Sequence, residues 1–474
     1  MLRVGYGGGT RMEKREVEIS EVIDSAKFVG LPLGITVLTI FIMLVDGFDL
    51  QTMSFVAPAL LPEWGIERSD LTLVLTGSMI GMAVGSVLLG WLGDRIGRKN
   101  SYLVCIAFLF VGSLMSALST GLNDLFAWRV LTGIGLGGVT PLAATMISEW
   151  TPKRVRVVAV ACSIVAVPLG GSIGAEVARW VIPNFGWRTI FYIGAALPLV
   201  FLLIALFLLP ESPKYLTQRP SRHAQLARML NRLVGEKRFD GTERFIVAEP
   251  PRPPGNWFAM LLKPPYLSTT LLLWAAFAFN TLALYAFTNF LPTVLTATGM
   301  PLEQALRGST FFNFGGLFGA VGGSVLIALL GSRLVGSSIS LMGAIAVFIT
   351  GVTIVALGAS ADAQLYFLIL LAGVAMHGMQ NFLYAVGAHS YPTYIRASGV
   401  GTAQTVSRIG GVMSSVLAGA FFAMEPAAPV SLFFYMVGGV LVVVVISFFS
   451  LRTHIPPNRS RPALKEAGAG DPAH

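Results

Sequence analysis

Residues 28–60 read FVGLPLGITVLTIFIMLVDGFDLQTMSFVAPAL, one long apolar run with two carboxylates, Asp46 and Asp49, inside it. A helix needs about 20 consecutive apolar residues to cross the hydrocarbon core of a bilayer. This run exceeds that, and runs of the same kind recur along the chain. The 474 residues are 54% hydrophobic and only 12% charged, a composition outside the soluble globular range. Twelve spans are expected, at about 30–56, 71–93, 100–120, 124–149, 157–181, 187–209, 266–291, 305–330, 334–358, 363–388, 396–422 and 429–451. The expected fold class is therefore an all-α membrane protein.

The net charge of +9 reads as topology rather than as a nucleic-acid footprint. Of 33 Lys and Arg residues, 27 fall in the two tails and in every second loop. The alternate loops hold Arg68, Arg179, Arg188 and Arg307, and two more, Arg129 and Arg408, lie inside apolar runs. The positive-inside rule then places both termini in the cytoplasm, as an even number of spans also requires. No cleavable signal peptide is expected, because the first 27 residues are polar and the first apolar run is too long. That amino tail is expected to be flexible. Cys105 and Cys162 both fall within spans and read as small packing residues.

The chain divides into a tail (1–27), a first six-helix half (28–209), a cytoplasmic linker (210–263), a second six-helix half (264–451) and a basic tail (452–474). The linker holds ten basic and five acidic residues and the segment PPRPP at 250–254, with a short amphipathic helix expected near 222–234. A weak internal repeat relates the halves. EWTPKRVR (149–156) matches HSYPTYIR (389–396), so that Pro152 corresponds to Pro392 and Arg156 to Arg396. GDRIG (93–97) has a degraded partner in GSRLV (331–335). Two repeats joined by a polar linker are the layout of secondary transporters, which bind substrate between the halves.

Ionisable groups inside spans are costly, about 2.5–3.5 kcal/mol on insertion scales, so they pair or function. Asp46 and Asp49 share a helix face, and Gly47 between them admits a close neighbour. With a span starting near Gly30, Asp46 lies about 24 Å along it, in the outer half of the membrane. Arg129 lies about 8 Å in from the outer side, so an Asp–Arg pair is expected there. Its alternatives are a packing ion pair and a proton-binding carboxylate whose arginine a substrate competes for. Arg408, about 18 Å deep and followed by Gly410 and Gly411, reads as a carboxylate clamp or as a partner of a carboxylate on another helix. Asn280, Asn313, His377, Gln380, Asn381, Tyr285 and Tyr384 fall at similar depth, and are candidate substrate contacts or interhelical bonds. Phe48 and Phe314, with Tyr384, are candidates to cover a ring. Glu176 reads as a local partner of Arg179. Gly77, Gly81 and Gly85 in span two and the glycines 133–138 in span four read as close-packing faces. No nucleophile–base pair, metal cluster or phosphate loop points to an enzyme.

These features together resemble the major facilitator superfamily. GWLGDRIGRK (90–99) looks like its signature between spans two and three, and RVLTGIGLGG (129–138), Glu149 followed by Arg156, and PESPKYL (210–216) also match. Asp46-Gly47-Phe48-Asp49, and YPTYIRASGVG (391–401) followed by Arg408, resemble the aromatic acid:proton symporter family. The resemblance implies the major facilitator fold and uptake of a benzoate-like acid across the bacterial inner membrane, with protons as coupling ion. Asp46 and Asp49 are then the proton-coupling candidates. Arg129, Arg408, Asn280, Asn313, His377, Gln380 and Tyr384 are the substrate-binding candidates. Asp94, Arg95, Arg98, Glu149 and Arg156 are candidates for a cytoplasmic latch, since Asp94 ends a helix whose dipole repels it. The second half departs from the pattern at Ser332, where an Asp is expected, and at His389, where an acid is common.

No cofactor beyond the proton gradient and no metal is expected. The expected partners are an aromatic acid, protons and the lipid bilayer, without nucleic acid, and the expected state is a monomer. The alternative function is a major facilitator transporter of a non-aromatic organic acid, a sugar or a drug. PESPKYL also resembles sugar porters, whereas a central Arg408 argues for an anion. A receptor without transport is the third reading, and the short tails argue against it.

Overall fold

The structure, a computed structural model, describes residues 15–247, 257–357, 363–424 and 429–457. A strand β1 (Glu16–Glu18) and a helix α1 (Ile19–Ser25) lead into six long helices, α2 (Leu31–Trp64), α3 (Arg68–Ile96), α4 (Arg98–Leu118), α5 (Leu122–Trp150), α6 (Lys153–Phe185) and α7 (Arg188–Leu208). The linker carries α8 (Pro213–Thr217), α9 (His223–Val234), β2 (Arg244–Ile246) and α10 (Trp257–Leu261). Six more long helices follow, α11 (Leu267–Ala297), α12 (Leu302–Leu330), α13 (Ser332–Leu357), α14 (Ala363–Ser390), α15 (Thr393–Ala423) and α16 (Ser431–Phe449). Among the described residues these twelve are long and apolar enough to cross a membrane.

The repeat is visible in the helix starts. Pro152 caps α6 and Pro392 caps α15, the fifth long helix of each half. Proline suits a helix start because an N–H there has no helical carbonyl behind it to bond, so its absence costs nothing. The first half is tied together by backbone contact between α3 and α5. A Cβ on Gly85 would collide with the Ile134 carbonyl, and one on Gly133 with the Ser78 carbonyl, so the glycine faces of spans two and four pack on each other as expected.

Helix α2 is longer than the expected span. It continues through Pro58 and Pro62 to Gly65, whose φ of 62° ends it in the left-handed conformation. Glu63 near its end accepts hydrogen bonds from Trp187 Nε1 at 2.7 Å and Arg188 Nη1 at 2.5 Å, so the extra turns carry a charge that is partnered. The consequence is a correction: Asp46 lies close to the midpoint of α2, not toward its far end.

From residue 15 onward the amino tail also differs from the expected flexibility; residues 1–14 lie outside the described residues. β1 pairs in parallel with β2, Val17 opposite Phe245. Val17 and Ile19 pack with Tyr215, Leu226, Leu230 and Phe245 in a small apolar core beneath the linker. Asp24 then accepts from the Lys153 N–H and from Arg156 Nη2, both at 2.8 Å. Ordering of residues 15–25 thus comes from partners more than a hundred residues away. The amphipathic helix expected near 222–234 is α9.

The halves meet through α2 with α11, α3 with α15, and α6 with α12. On the side remote from the termini they touch, with Thr72 of α3 the nearest neighbour of Gly419 of α15. On the terminal side the same two helices diverge. Gly90 and Gly401 have open space beside them, and Val87 is 72% exposed. The structure is closed on the far side and open on the terminal side.

Candidate functional site

Between the halves, the midpoints of α2 and α15 bring Asp46 and Arg408 within electrostatic reach of each other. Asp46 is 4% exposed and its Oδ1 has no hydrogen-bond partner. Arg408 is half-buried and forms no ion pair with any described residue. Tyr285 sits within electrostatic reach of Arg408, Asp46 and Tyr384, and its ring is the nearest neighbour of Gly411. Tyr384 meets Phe277 edge to face, centroids 5.2 Å apart. A buried carboxylate, an uncommitted guanidinium and two phenols thus surround one place between the halves.

Asp49 is committed elsewhere. It is fully buried, accepts the Ser113 hydroxyl at 2.5 Å, and lies 3.7 Å from Arg129 Nη1. Arg129 also donates to the Asp49 carbonyl and to Ser78, each at 3.2 Å, and its guanidinium lies over the Phe191 ring. The two fully buried charges offset each other, and Arg129 Nε and Nη2 find oxygen, whereas Arg129 Nη1 and Asp49 Oδ2 face each other's group without a hydrogen bond. Gly47 lets the Val167 backbone of α6 press against α2 at this level.

The other expected contacts separate into groups. Asn280 Nδ2 donates to Gln380 at 2.8 Å and to the Met376 carbonyl at 3.1 Å, leaving the buried Asn280 Oδ1 without a partner. Gln380 is one turn from Tyr384 on α14, so this pair borders the place described above. Asn313 is on the far side of it, in a reciprocal amide pair with Gln51, both bonds 2.9 Å. His377 is bonded to the Gly373 carbonyl at 3.2 Å and packed on Phe312, within the second half. Phe48 is buried against Gly174 and Gly194 in the first half. Phe314 lines a groove of about 570 Å³ with Glu176, Trp180 and Ile193. The expectation that these two phenylalanines cover a ring is corrected: neither borders Arg408.

The five latch candidates do not form one network. Arg98 pairs with Asp94 at 2.5 Å. Arg95 lies over the Trp91 ring at 4.1 Å, Glu149 accepts the Ser212 hydroxyl, and Arg156 pairs with Asp24. The reason is the open terminal side: with the halves apart, each group takes the nearest partner in the first half, the amino tail or the linker. Ser212 of PESPKYL supplies one such partner, and its neighbour Glu211 accepts the Lys99 N–H at 3.0 Å. At the degraded second-half motif, Ser332 has a different occupation. Its Oγ accepts the Ile455 N–H at 2.7 Å and its own N–H donates to the Ile455 carbonyl at 2.9 Å, holding the carboxyl tail.

Sequence reasoning passed over Gln51, Ser78, Ser113, Asp24 and Glu303. Gln51 carried a signal, a buried amide two residues from Asp49 in an apolar run. The serines carried none, because hydroxyls are common in spans.

The Major Facilitator Superfamily model matches residues 39–415. Similar curated proteins include a 4-hydroxybenzoate transporter, PcaK, of Acinetobacter baylyi, 33% identical over 85% of this chain and 88% of the relative. The chain belongs to the aromatic acid:proton symporter family of the major facilitator superfamily. A gallate transporter of Pseudomonas putida is 32% identical over 87% of this transporter and 90% of the relative. The crystal structure of a D-xylose–proton symporter shares the fold, with a TM-score of 0.70 at 17% identity over 91% of this transporter and 99% of that chain. The transporter is thus a multi-pass membrane protein that moves a small molecule, and not an enzyme.

Proposed function

We propose that the transporter takes up an aromatic carboxylate together with protons across the bacterial inner membrane, by alternating access, with both termini in the cytoplasm. The observation that carries this is the contrast between the two acid–base pairs. Asp49 and Arg129 pair with each other inside the first half, whereas Asp46 and Arg408, on opposite halves, form no ion pair with any described residue. An uncommitted central arginine suits a carboxylate, which it can hold with two parallel N–H bonds. An uncommitted carboxylate in a dry place is costly as an anion, and a proton removes that charge. Arg408 then binds the substrate carboxylate, Asp46 carries the proton, and Tyr285 and Tyr384 with the Asn280–Gln380 pair flank the ring. The similar transporters named for 4-hydroxybenzoate and gallate support an aromatic acid. Asp49 and Arg129 hold α2 and α5 in register on the far-side flank of Asp46, and His377 supports α14 from within the second half. One chain supplies the whole site, so a monomer suffices, and the proton gradient supplies the energy without a cofactor.

Proteoliposomes loaded with purified protein test this. Labelled 4-hydroxybenzoate, benzoate, succinate and xylose are offered with and without an inward proton gradient. The expected result is gradient-driven accumulation of the aromatic acids. Asp46→Asn keeps exchange of substrate across the membrane and loses accumulation. Arg408→Lys weakens substrate affinity about tenfold, because an ammonium cannot form the two parallel bonds. Full accumulation by Asp46→Asn refutes the proton assignment. Preference for succinate or xylose moves the substrate to the alternative class.

A further inference from the structure

The closed far side is joined by polar bonds that cross from one half to the other. Gln51 of α2 and Asn313 of α12 exchange two N–H···O bonds of 2.9 Å, with both side chains at most 2% exposed. Gly171 of α6 makes room for them, since a Cβ there would meet the Gln51 amide and the Asn313 oxygen. Further out, Arg179 of α6 bridges Glu176 on its own helix at 2.8 Å and Glu303 of α12 at 2.7 Å. Thr310 of α12 donates to Glu176 at 2.8 Å. Glu303, Thr310 and Asn313 are spaced i, i+7 and i+10, which puts them on one stripe of α12 facing α6.

We infer that the Gln51–Asn313 amide pair and the Arg179–Glu303–Glu176–Thr310 cluster form the far-side gate of this transporter, the bonds that must break before a ligand reaches Asp46 and Arg408 from that side. Three features separate a gate from ordinary packing. Every bond has one partner in each half except Arg179–Glu176, which presents Arg179 to Glu303. The amide pair lies about 7.5 Å further along α2 than Asp46, on the closed side and at a contact between the halves. Its four polar groups are dry, so parting the halves leaves them unsatisfied until water or ligand enters. The two layers also differ in weight. The outer ion pair is partly exposed, with side chains 31% and 55% accessible, and such pairs contribute little. The buried amide pair carries most of the bias toward the closed far side.

The test uses full-length protein with spin labels at two exposed far-side positions, Asn123→Cys in the first half and Gln364→Cys in the second, after Cys105→Ser and Cys162→Ser. The distance distribution between labels reports closed and open populations without any substrate, so this inference and the proposed substrate fail independently. Asn313→Leu should raise the open-to-closed ratio about fivefold or more, the equivalent of at least one lost hydrogen bond. Glu303→Gln should raise it by a smaller factor. A second variant, Gln51→Cys with Asn313→Cys, guards against misfolding. A short, reducible thiol-to-thiol cross-linker, needed because the Cβ atoms behind the amide pair lie beyond direct disulfide reach, should lock the far side closed and stop exchange of labelled 4-hydroxybenzoate, and reductant should restore it. An unchanged distance distribution in Asn313→Leu, or exchange that continues through the cross-linked protein, overturns the gate.

Discussion

At the scale of single residues, the central fact is that two carboxylates three positions apart have opposite circumstances. Asp49 has a fully buried cation at 3.7 Å and a serine at 2.5 Å, whereas Asp46 Oδ1 has no partner. Breaking a buried pair from one side strands the other charge, at a cost of about 3–5 kcal/mol, whereas removing both charges costs far less. Arg129→Gln should therefore lower the unfolding temperature in detergent sharply, and Arg129→Gln with Asp49→Asn should recover most of the loss. Asp46→Asn should leave the unfolding temperature nearly unchanged, because it removes no bond. If all three variants melt alike, the Asp49–Arg129 pair does not hold the first half together. The pairing was legible in the sequence, because helical rise converts position into depth and opposite charges at one depth seek each other. The Gln51–Asn313 pair was not. Neutral amides carry no sign to match, and nothing in either span says which of many amides faces which.

At the scale of elements, the helices were legible and their ends were less so. Apolar runs announced α2 and α12, but hydropathy cannot see that Glu63 has Trp187 and Arg188 waiting for it. Glycine faces were legible as packing faces, and the structure makes them testable. Gly85→Val should destabilise the fold by about 1–3 kcal/mol through overpacking against the Ile134 backbone, whereas Gly90→Val, with open space beside it, should not. Thermal melts of the two variants decide this. The tails were illegible, since three-residue strands and single serines hold them. The carboxyl tail gives a pH prediction. Burial, with Arg333 nearby, pushes the His454 imidazole below the ordinary histidine range against a smaller opposing hydrogen bond to Leu451. A base with a depressed folded pKa stabilises the docked tail while neutral and loses that contribution as pH falls through and below its ordinary value of 6.5. Protonation also turns the ring nitrogen facing Ser332 from acceptor to donor. Proteolysis of residues 452–457 should accelerate as pH drops below that value. His454→Phe should abolish that dependence. A flat profile in the unmodified protein contradicts the docking.

At the scale of the whole molecule, the two halves were legible as a repeat, through Pro152 and Pro392, but the conformational state was not. The proposed alternating access requires one sequence to build both an open and a closed terminal side, so the sequence alone does not select between them. Which way the open side faces then rests on topology. Two residues inside the spans aside, the basic residues crowd the terminal side, 27 of 33, and that side carries the linker, both tails and the opening between α3 and α15. Positive loops are retained in the cytoplasm, so under the proposed orientation this structure faces inward and the proposed far-side gate meets the periplasm. Carboxyl-terminal fusions check this directly. A fluorescent protein that folds only in the cytoplasm should glow when fused after His474, and an alkaline phosphatase that works only in the periplasm should be silent there. The reverse result would invert the molecule, turning the Gln51–Asn313 gate toward the cytoplasm and making this conformation the one that loads substrate from outside.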